Sequence, residues 1–268
     1  MAREKIVLVT GASSGIGRAT AEHLVERGYR VFGTSRNPAG AAPIKGAALL
    51  PLDVRDDASV ETCVATVQNA VGPIDVLINN AGYSVVGAVE ETSPSEAQAL
   101  FDTNFFGTLR MVRAVLPLMR KQGSGLIINT SSVLGFLPAP FMGLYASTKH
   151  ALEGLSESLD HEVRGFGVRV ILIQPTFTNT LLDINATNPV QKIDSYSTLL
   201  KRASTAITAQ VRSSQGPEIV AVEILRAIEG PHKLRRPVGS KASLLSQLRR
   251  FMPVGPVDRS LRKTFGLR

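Results

Sequence analysis

The 268-residue sequence contains a single cysteine, Cys63, so no disulfide can form within the chain. This favours a reducing, cytoplasmic location. No apolar run approaches the length of a membrane span. The chain reads MAREK and then enters an apolar run at once, so we expect no signal peptide. A hydrophobic content of 44% with 19% charged residues predicts a globular protein, large enough to bury a sizeable core.

Acidic residues are almost missing from the end of the chain. Residues 231–268 hold ten Lys and Arg but one acid, Asp258, a net charge of +9. Because the whole chain carries +8, the rest is 8 − 9 = −1. A basic segment can contact nucleic acid or anionic lipid. A solvated tail, or one packing on its own domain or a neighbouring subunit, is the favoured explanation, and no nucleic-acid partner is expected. We therefore divide the chain into a main domain, 1–230, and a basic extension, 231–268.

Strand-like and helix-like patterns alternate through the first two-thirds of the chain. Strands are predicted at residues 5–10, 30–35, 47–52, 74–79, 125–130 and 168–173. Helices are predicted at residues 15–27, 58–71, 95–121 and 145–164. The first helix would pack through Ile16, Ala19, His23 and Leu24. Apolar strands separated by helices predict a single α/β domain with a doubly wound, parallel sheet of about seven strands and helices on both faces.

The pattern loosens after the sixth predicted strand. Residues 176–215 are polar and only weakly periodic. Ligands of doubly wound sheets bind outside the carboxyl ends of the strands, so we expect this segment to be a loop that covers a substrate. The basic extension is predicted to hold a short strand, 236–238, and two short amphipathic helices.

A glycine-rich turn, TGASSGIG, occupies residues 10–17 between the first predicted strand and helix. Gly11 would permit a tight turn, Gly15 would let the backbone approach a pyrophosphate, and Gly17 would let the helix pack closely. The helix N-terminus would then offer N–H groups to phosphates. A glycine turn without a ligand is the alternative. Its position at the first strand–helix junction favours a dinucleotide phosphate site.

Further polar motifs follow in a fixed order along the chain. Asn79-Asn80-Ala81-Gly82 ends the fourth predicted strand, and Ser131-Ser132 ends the fifth. Tyr145 and Lys149 are four residues apart and share a helix face. A nearby ammonium lowers the tyrosine pKa from about 10, which makes proton transfer effective near neutral pH. Tyr145 would then give a proton to a carbonyl oxygen or take one from an alcohol.

The G-x-x-x-G-x-G spacing, together with these motifs, resembles the short-chain dehydrogenase/reductase family over residues 10–180. The resemblance implies a catalytic set of Asn104, Ser132, Tyr145 and Lys149. Ser132 would hold the substrate oxygen, Lys149 the nicotinamide ribose, and Asn104 a water that relays protons. The residues implied to bind the cofactor are Thr10, Gly11, Ser13, Ser14, Gly15, Ile16, Gly17, Ser35, Arg36, Asp53, Val54, Asn80, Ala81, Gly82, Tyr145, Lys149, Pro175, Thr178 and Thr180. The alternatives are a chance helical pair for Tyr145 and Lys149, a helix-distorting Asn104, and Ser131 in place of Ser132. No metal is expected.

The end of the second predicted strand lacks the acid that would select NAD. It reads Gly33-Thr34-Ser35-Arg36-Asn37, and the Arg36 fork can bind a 2′-phosphate. This predicts NADP(H), the alternative being a surface arginine without a ligand. By resemblance Asp53 contacts the adenine; otherwise it caps the next helix.

Residues 151–159, ALEGLSESL, resemble the branch of the family that contains 17β-hydroxysteroid and retinol dehydrogenases. That branch acts on bulky apolar alcohols and ketones, although the stretch is mostly a helix packing surface. Apolar residues also flank the catalytic segments and would suit an apolar substrate, or simply pack their loops. They are Val85, Val86, Phe136, Leu137, Phe141, Met142 and Leu144. Thr176 departs from the family pattern, which has glycine there.

Together these features predict an NADP(H)-dependent oxidoreductase that interconverts a ketone or aldehyde and an alcohol. By resemblance we expect a homodimer or homotetramer. Two alternatives from other classes stay open: a non-catalytic dinucleotide sensor, and a protein that contacts membranes or nucleic acid through its basic extension.

Overall fold

The computed structural model describes residues 4–180, 182, 186–249 and 251–267. Its centre is a seven-stranded sheet in the order β3-β2-β1-β4-β5-β6-β7, with every pair of neighbours parallel. The strands are β1 (Ile6–Val9), β2 (Arg30–Ser35), β3 (Ala48–Pro51), β4 (Val76–Asn79), β5 (Gly125–Thr130), β6 (Val168–Gln174) and β7 (Arg235–Pro237). The chain order reverses between β1 and β4, which is where such sheets bind ligands. The predicted doubly wound fold is confirmed.

Helices cover both faces of the sheet. They are α1 (Gly15–Glu26), α2 (Asp57–Val71), α3 (Pro94–Phe101), α4 (Gly107–Gln122), α5 (Gly143–Val163), α6 (Asp194–Ser213), α7 (Glu218–Glu229), α8 (Gly239–Leu248) and α9 (Val254–Thr264). Successive side chains of a strand point to opposite faces of the sheet, so β1 contributes residues to two hydrophobic cores. Ile6 and Leu8 pack towards α2 and α4, while Val7 and Val9 pack towards α1 and α7. Burial on both faces explains why the central strand β1 is a continuous apolar run.

The buried face of α1 differs from the prediction. Gly17, Thr20, Ala21 and Leu24 are buried, whereas Ile16, Ala19 and His23 are only half-buried. Small residues lie on the inner face because this helix packs closely against the glycine turn. A prediction based on apolar residues alone therefore chose the wrong face of the helix.

The helix predicted over residues 95–121 is interrupted by a π-helical turn. The segment Asp102–Phe106 joins α3 to α4, with Asn104 buried at its centre. A capping box between Ser93 and Glu96 begins α3. The wider turn changes the direction of Asn104 relative to the flanking helices. Because it adds only one residue to the turn, the spacing of apolar residues in the sequence does not reveal it.

The prediction that residues 176–215 form a loop is wrong for their second half, because α6 fills it. Only Ala203, Ile207 and Val211 of this helix are buried. A stripe that narrow, within a Ser- and Thr-rich sequence, gives little periodic signal. The rest of α6 is half-buried or exposed, so its polar residues face solvent.

The basic extension folds onto the rest of the chain. Its strand β7 pairs with β6, one residue earlier than predicted, and α8 and α9 follow. Ala242 and Phe265 are buried in a third core with Tyr145 and Met142. No helix in the described part of the chain is long and apolar enough to cross a membrane.

Candidate active site

One cavity of about 1120 Å³ runs along the carboxyl ends of the strands, from the glycine turn to α8 and α9. It brings together most of the predicted site residues. Those that line it are Gly11, Ser13, Ser14, Gly15, Ile16, Ser35, Arg36, Asp53, Val54, Asn80, Ala81, Gly82, Ser132, Tyr145, Lys149, Pro175, Thr178 and Thr180. Thr10, Gly17 and Asn104 do not line the cavity and lie behind its wall.

The glycine turn is held in a conformation that side chains would prevent. Gly11 and Gly15 have φ angles of +66° and +53°, which favour glycine. A Cβ on Gly17 would lie 2.3 Å from the Gly11 carbonyl oxygen, so the helix can approach the turn only through glycine. Asn80 fixes the turn from the other side, because its Nδ2 donates to the carbonyl oxygens of Thr10, at 3.1 Å, and Gly11, at 3.2 Å.

Thr10 ties the ends of β1 and β4 together rather than facing the cavity. Its buried Oγ1 accepts hydrogen bonds from the backbone N–H groups of Asn80, at 2.9 Å, and Ala81, at 3.0 Å. The N-terminus of α1 meets the cavity without a side-chain cap at Ser14. Uncapped N–H groups, the helix dipole and a turn open enough for close approach together fit a pyrophosphate.

The half of the cavity that contains the glycine turn has a basic side chain, Arg36, at its far end. Arg36 follows β2, is exposed, and makes no hydrogen bond or ion pair with any residue that the structure describes. The nearby Asp53 is paired with Arg55, whose Nη2 lies 2.6 Å from its Oδ2. The hydrogen bond from Arg55 lowers the pKa of Asp53 to about 2. Asp53 is not the helix cap, because Asp56 accepts the hydrogen bond from Ser59 N at the start of α2.

Tyr145 and Lys149 lie in the first two turns of α5 and face the middle of the cavity. Both are buried. The Lys149 ammonium donates to the carbonyl oxygen of Thr130, at 2.8 Å, and lies 5.6 Å from the Tyr145 ring centroid. The two side chains therefore lie beside each other, as their four-residue spacing on one helix face predicts. The end of β5 therefore positions the lysine, and α5 carries the tyrosine beside it.

Ser131 and Ser132 follow β5, both line the cavity, and differ in their partners. Ser131 Oγ donates to Oε1 of the buried Glu153 at 2.6 Å. Ser132 Oγ accepts from Leu134 N, at 3.1 Å, and makes only a long 3.5 Å bond to the Pro175 carbonyl oxygen. The Ser131 hydroxyl is directed away from a substrate, whereas that of Ser132 keeps a donor for one. These contacts favour Ser132, the serine that the family resemblance implies.

Asn104 holds a neighbouring segment in place with its side-chain amide. Its Oδ1 accepts from Tyr83 N at 3.0 Å, and its Nδ2 donates to the Tyr83 carbonyl oxygen at 2.9 Å and to Thr148 Oγ1 at 3.3 Å. Tyr83 lines the cavity. The backbone carbonyl of Asn104 accepts only a long 3.4 Å bond from Thr108, so it keeps the capacity to hold a relay water.

The other half of the cavity is mainly apolar and was largely missed by sequence reasoning. Of the flanking apolar residues named above, only Leu137 and Met142 line it. Further apolar lining residues are Leu134, Pro138, Phe177, Leu182, Leu245, Leu261 and Phe265. Thr176, at the position that departs from the family pattern, is also in the wall. Leu245, Leu261 and Phe265 come from the basic extension, where the sequence shows no recognised motif.

Comparison with known proteins gives consistent results. The family model described as short chain dehydrogenase matches residues 5–191. A 3-ketodihydrosphingosine reductase of Bacteroides thetaiotaomicron is 45% identical over 66% of this chain and 65% of its own. Bovine retinol dehydrogenase 8 is 34% identical over 94% of this chain and 86% of its own.

Solved structures agree in fold. A short-chain dehydrogenase from Streptomyces avermitilis is 34% identical, with a TM-score of 0.78 over 97% of this chain and 99% of its own. One from Burkholderia phymatum, solved with NAD, is 29% identical, with a TM-score of 0.78 over 92% of each chain. A metagenomic short-chain oxidoreductase solved with NADP is 26% identical, with a TM-score of 0.68 over 87% of this chain and 96% of its own.

Proposed function

Since the chain belongs to the short-chain dehydrogenase/reductase family and is such an enzyme, we propose that it interconverts an apolar ketone or aldehyde and the corresponding alcohol with NADP(H). One observation carries the proposal. Ser132, Tyr145 and Lys149 line the same cavity as the glycine turn and Arg36. A single cavity thus has backbone suited to phosphate at one end and a candidate acid–base pair at the other.

The glycine turn and the N-terminus of α1 would hold the pyrophosphate of the dinucleotide. Lys149 would bind the nicotinamide ribose, and Thr178 and Thr180 lie in the loop after β6 that would cover the nicotinamide. When bound, the cofactor supplies or accepts the hydride. The contribution of the chain is to fix the position and charge around that transfer.

Tyr145 would supply the proton. In reduction, the carbonyl carbon gains a hydride and its oxygen gains the Tyr145 phenol proton, which leaves an alcohol and a tyrosinate that solvent reprotonates. In oxidation, the tyrosinate takes the alcohol proton as the hydride leaves. The Lys149 ammonium stabilises the tyrosinate in both directions. Ser132 would donate a hydrogen bond to the substrate oxygen, since its hydroxyl has no short acceptor in the described structure.

The apolar wall of the cavity is evidence for a long apolar substrate. Beyond Tyr145 it is formed by Leu137, Met142, Phe177, Leu245 and Leu261. Two similar enzymes are named for 3-ketodihydrosphingosine and retinol, both of which carry long apolar chains. Burying such a chain is favoured by about 0.8 kcal/mol for each CH₂ group.

Arg36 supports NADP(H) over NAD(H). The end of β2 carries no acid, and the carboxylate of Asp53 is already bound by Arg55. A 2′-phosphate would meet the free Arg36 guanidinium, which suits its planar, charged shape. Similar structures have been solved with either cofactor, so the residue itself is the basis for this choice.

The test is oxidation of NADPH by the purified protein with a panel of carbonyl compounds. The panel holds a long-chain 3-keto amino alcohol, retinal, a 3-oxoacyl thioester and a short ketone of similar reactivity. We expect turnover with the long-chain compounds at a kcat/KM well above that for the short ketone. Tight NADPH binding without turnover of any member would instead indicate a dinucleotide sensor.

A further inference from the structure

The turn between α8 and α9 exposes four apolar side chains that lie close together in the chain. Leu244, Leu248, Phe251 and Val254 are 55%, 39%, 82% and 83% exposed. Leu244 and Leu248 share one face of α8, Phe251 lies in the turn, and Val254 begins α9. We call these four residues the apolar tip. Apolar residues scattered singly on a surface are ordinary, but a contiguous group marks an interaction site.

Exposed cations accompany the apolar tip on the same two helices. Arg249 ends α8, and Arg259, Arg262 and Lys263 lie on the outer face of α9. All four are exposed, and none of them forms an ion pair with a residue that the structure describes. The only acid in the extension is Asp258. Free cations beside exposed aromatic and aliphatic residues match the surface of an anionic bilayer, which takes apolar groups into its interface and attracts basic residues.

The same two helices also form a wall of the substrate cavity. Lys241 and Leu245 of α8 and Leu261 and Thr264 of α9 line it. The inner row of α9 is Leu261 and the following Phe265, while its outer row carries the cations. Leu248 and Val254 each lie about two helical turns from a lining residue, Lys241 on α8 and Leu261 on α9, so the apolar tip and the cavity wall belong to the same two helices.

We propose that the apolar tip and its cations dock on an anionic lipid surface, which places the substrate cavity at the membrane interface. The role of the interface in substrate supply rests on the proposed function, whereas the docking itself does not. A lipid substrate would then move between bilayer and cavity along α8 and α9 without crossing water.

Two other occupants fit less well. Nucleic acid would use the cations but leave Phe251 and Val254 without a partner, since phosphate binding requires no apolar contact. A second copy of the chain would bring two extensions of net charge +9 face to face, which charge repulsion opposes. Anionic lipid satisfies both the apolar and the basic groups.

The test is flotation of the full chain with vesicles of phosphatidylcholine, with and without phosphatidylglycerol. We expect binding to the phosphatidylglycerol vesicles and its weakening by salt. The double variant Phe251→Ser/Val254→Ser should bind at least about tenfold more weakly, because both side chains would leave the interface. Arg259→Gln/Arg262→Gln should lose about fivefold for each cation removed.

Matched controls separate the tip from general surface properties. Val190→Ser removes an equally exposed valine, 89% exposed, on another part of the surface. Arg30→Gln/Lys45→Gln removes two exposed cations near the opposite end of the sheet. Both controls should bind as the wild type does, and no variant should lose turnover of the short soluble ketone.

Three results would overturn the proposal. They are absence of binding to phosphatidylglycerol vesicles, equal binding by the tip variants and their controls, and preferential retention of DNA by the same cations. Self-association that depends on Phe251 and Val254 would show instead that a second copy covers the tip. Loss of vesicle binding with normal turnover would refute docking alone, whereas normal docking without turnover would refute the proposed function alone.

Discussion

At the scale of single residues, we expect the choice of cofactor to depend on Arg36. It follows β2, lines the cavity and has no partner among the described residues. Asp53, the nearest acid in the cavity wall at this end, is bound by Arg55, and its pKa of about 2 keeps it charged at any working pH. A free guanidinium beside an already paired carboxylate favours an additional phosphate rather than a ribose hydroxyl.

Arg36→Ala should therefore weaken NADPH binding and spare NADH. A hydrogen bond to a charged group contributes about 1.5–3 kcal/mol, so the KM for NADPH should rise roughly tenfold to a hundredfold. Arg30→Ala removes an exposed arginine from the other end of the same strand and should change neither KM. If Arg36→Ala raised both KM values equally, or neither, the assignment of NADP(H) through Arg36 would be wrong.

Residue types alone could not show how site residues divide their work. Thr10, Gly17 and Asn104 belong to the ordered motifs, yet each supports the wall from behind. A motif records that a position matters but not whether its side chain meets the ligand or a neighbouring strand. Ser131 and Ser132 show the same limit, because their residue type does not separate them, whereas the contact of Ser131 with Glu153 does.

At the scale of secondary-structure elements, Glu153 joins three strands beneath the catalytic residues. Its buried carboxylate accepts from Ser131 Oγ, at 2.6 Å, after β5, and from Gln174 Nε2, at 2.9 Å, in β6. It also pairs with Arg235 of β7 at 2.9 Å. This contact connects the basic extension to the strand end that carries Ser132, so the extension is coupled to the site through more than the cavity wall.

Glu153→Ala should destabilise the protein by roughly 2–5 kcal/mol, because it leaves two buried polar groups without partners at about 1–3 kcal/mol each. Arg235 contributes less, since it is partly exposed and keeps its pair with Glu157. Glu157→Ala is the matched control. It removes the more exposed partner of the same arginine and should cost about 1 kcal/mol or less. Urea unfolding of both variants gives the comparison, and equal losses would contradict a role for Glu153 in joining the strands.

Elements with a strong pattern could be predicted, and those with a weak one could not. β5 was predicted at its observed bounds because its centre, Leu126 to Ile128, is a short apolar run of the kind that central strands show. Helix α6 was missed because its narrow buried stripe lies within a Ser- and Thr-rich sequence that resembles a loop. The π-helical turn around Asn104 was missed because it changes the helix by one residue without changing composition.

At the scale of the whole molecule, the basic extension completes the site. Its strand β7 adds an edge to the sheet, and α8 and α9 close the apolar half of the cavity. The glycine turn and the acid–base pair follow recognisable patterns, but the substrate wall comes from a segment whose sequence shows mainly its charge. We therefore expect substrate range to be set by residues that lie far along the chain from the proposed catalytic residues.

Leu261→Trp should narrow the cavity and discriminate between substrates by length. Overfilling a packed space costs about 1–3 kcal/mol, so kcat/KM for a long-chain ketone should fall roughly fivefold to a hundredfold. A short ketone that does not reach α9 should react as with the wild type. Arg212→Trp adds the same bulk to an exposed position of α6 and serves as control. Equal losses for long and short ketones would show that α9 does not contact the substrate.

The central claim is that Tyr145 transfers the proton in a reaction whose hydride comes from a dinucleotide held by the glycine turn. The measurement is NADPH binding and NADPH oxidation by the wild type and Tyr145→Phe, with the best long-chain ketone of the panel. Because acid–base catalysis contributes about 10²- to 10⁴-fold, we expect kcat to fall by that factor while NADPH affinity is kept. A Tyr145→Phe enzyme that turns over at a rate close to the wild type would contradict the account.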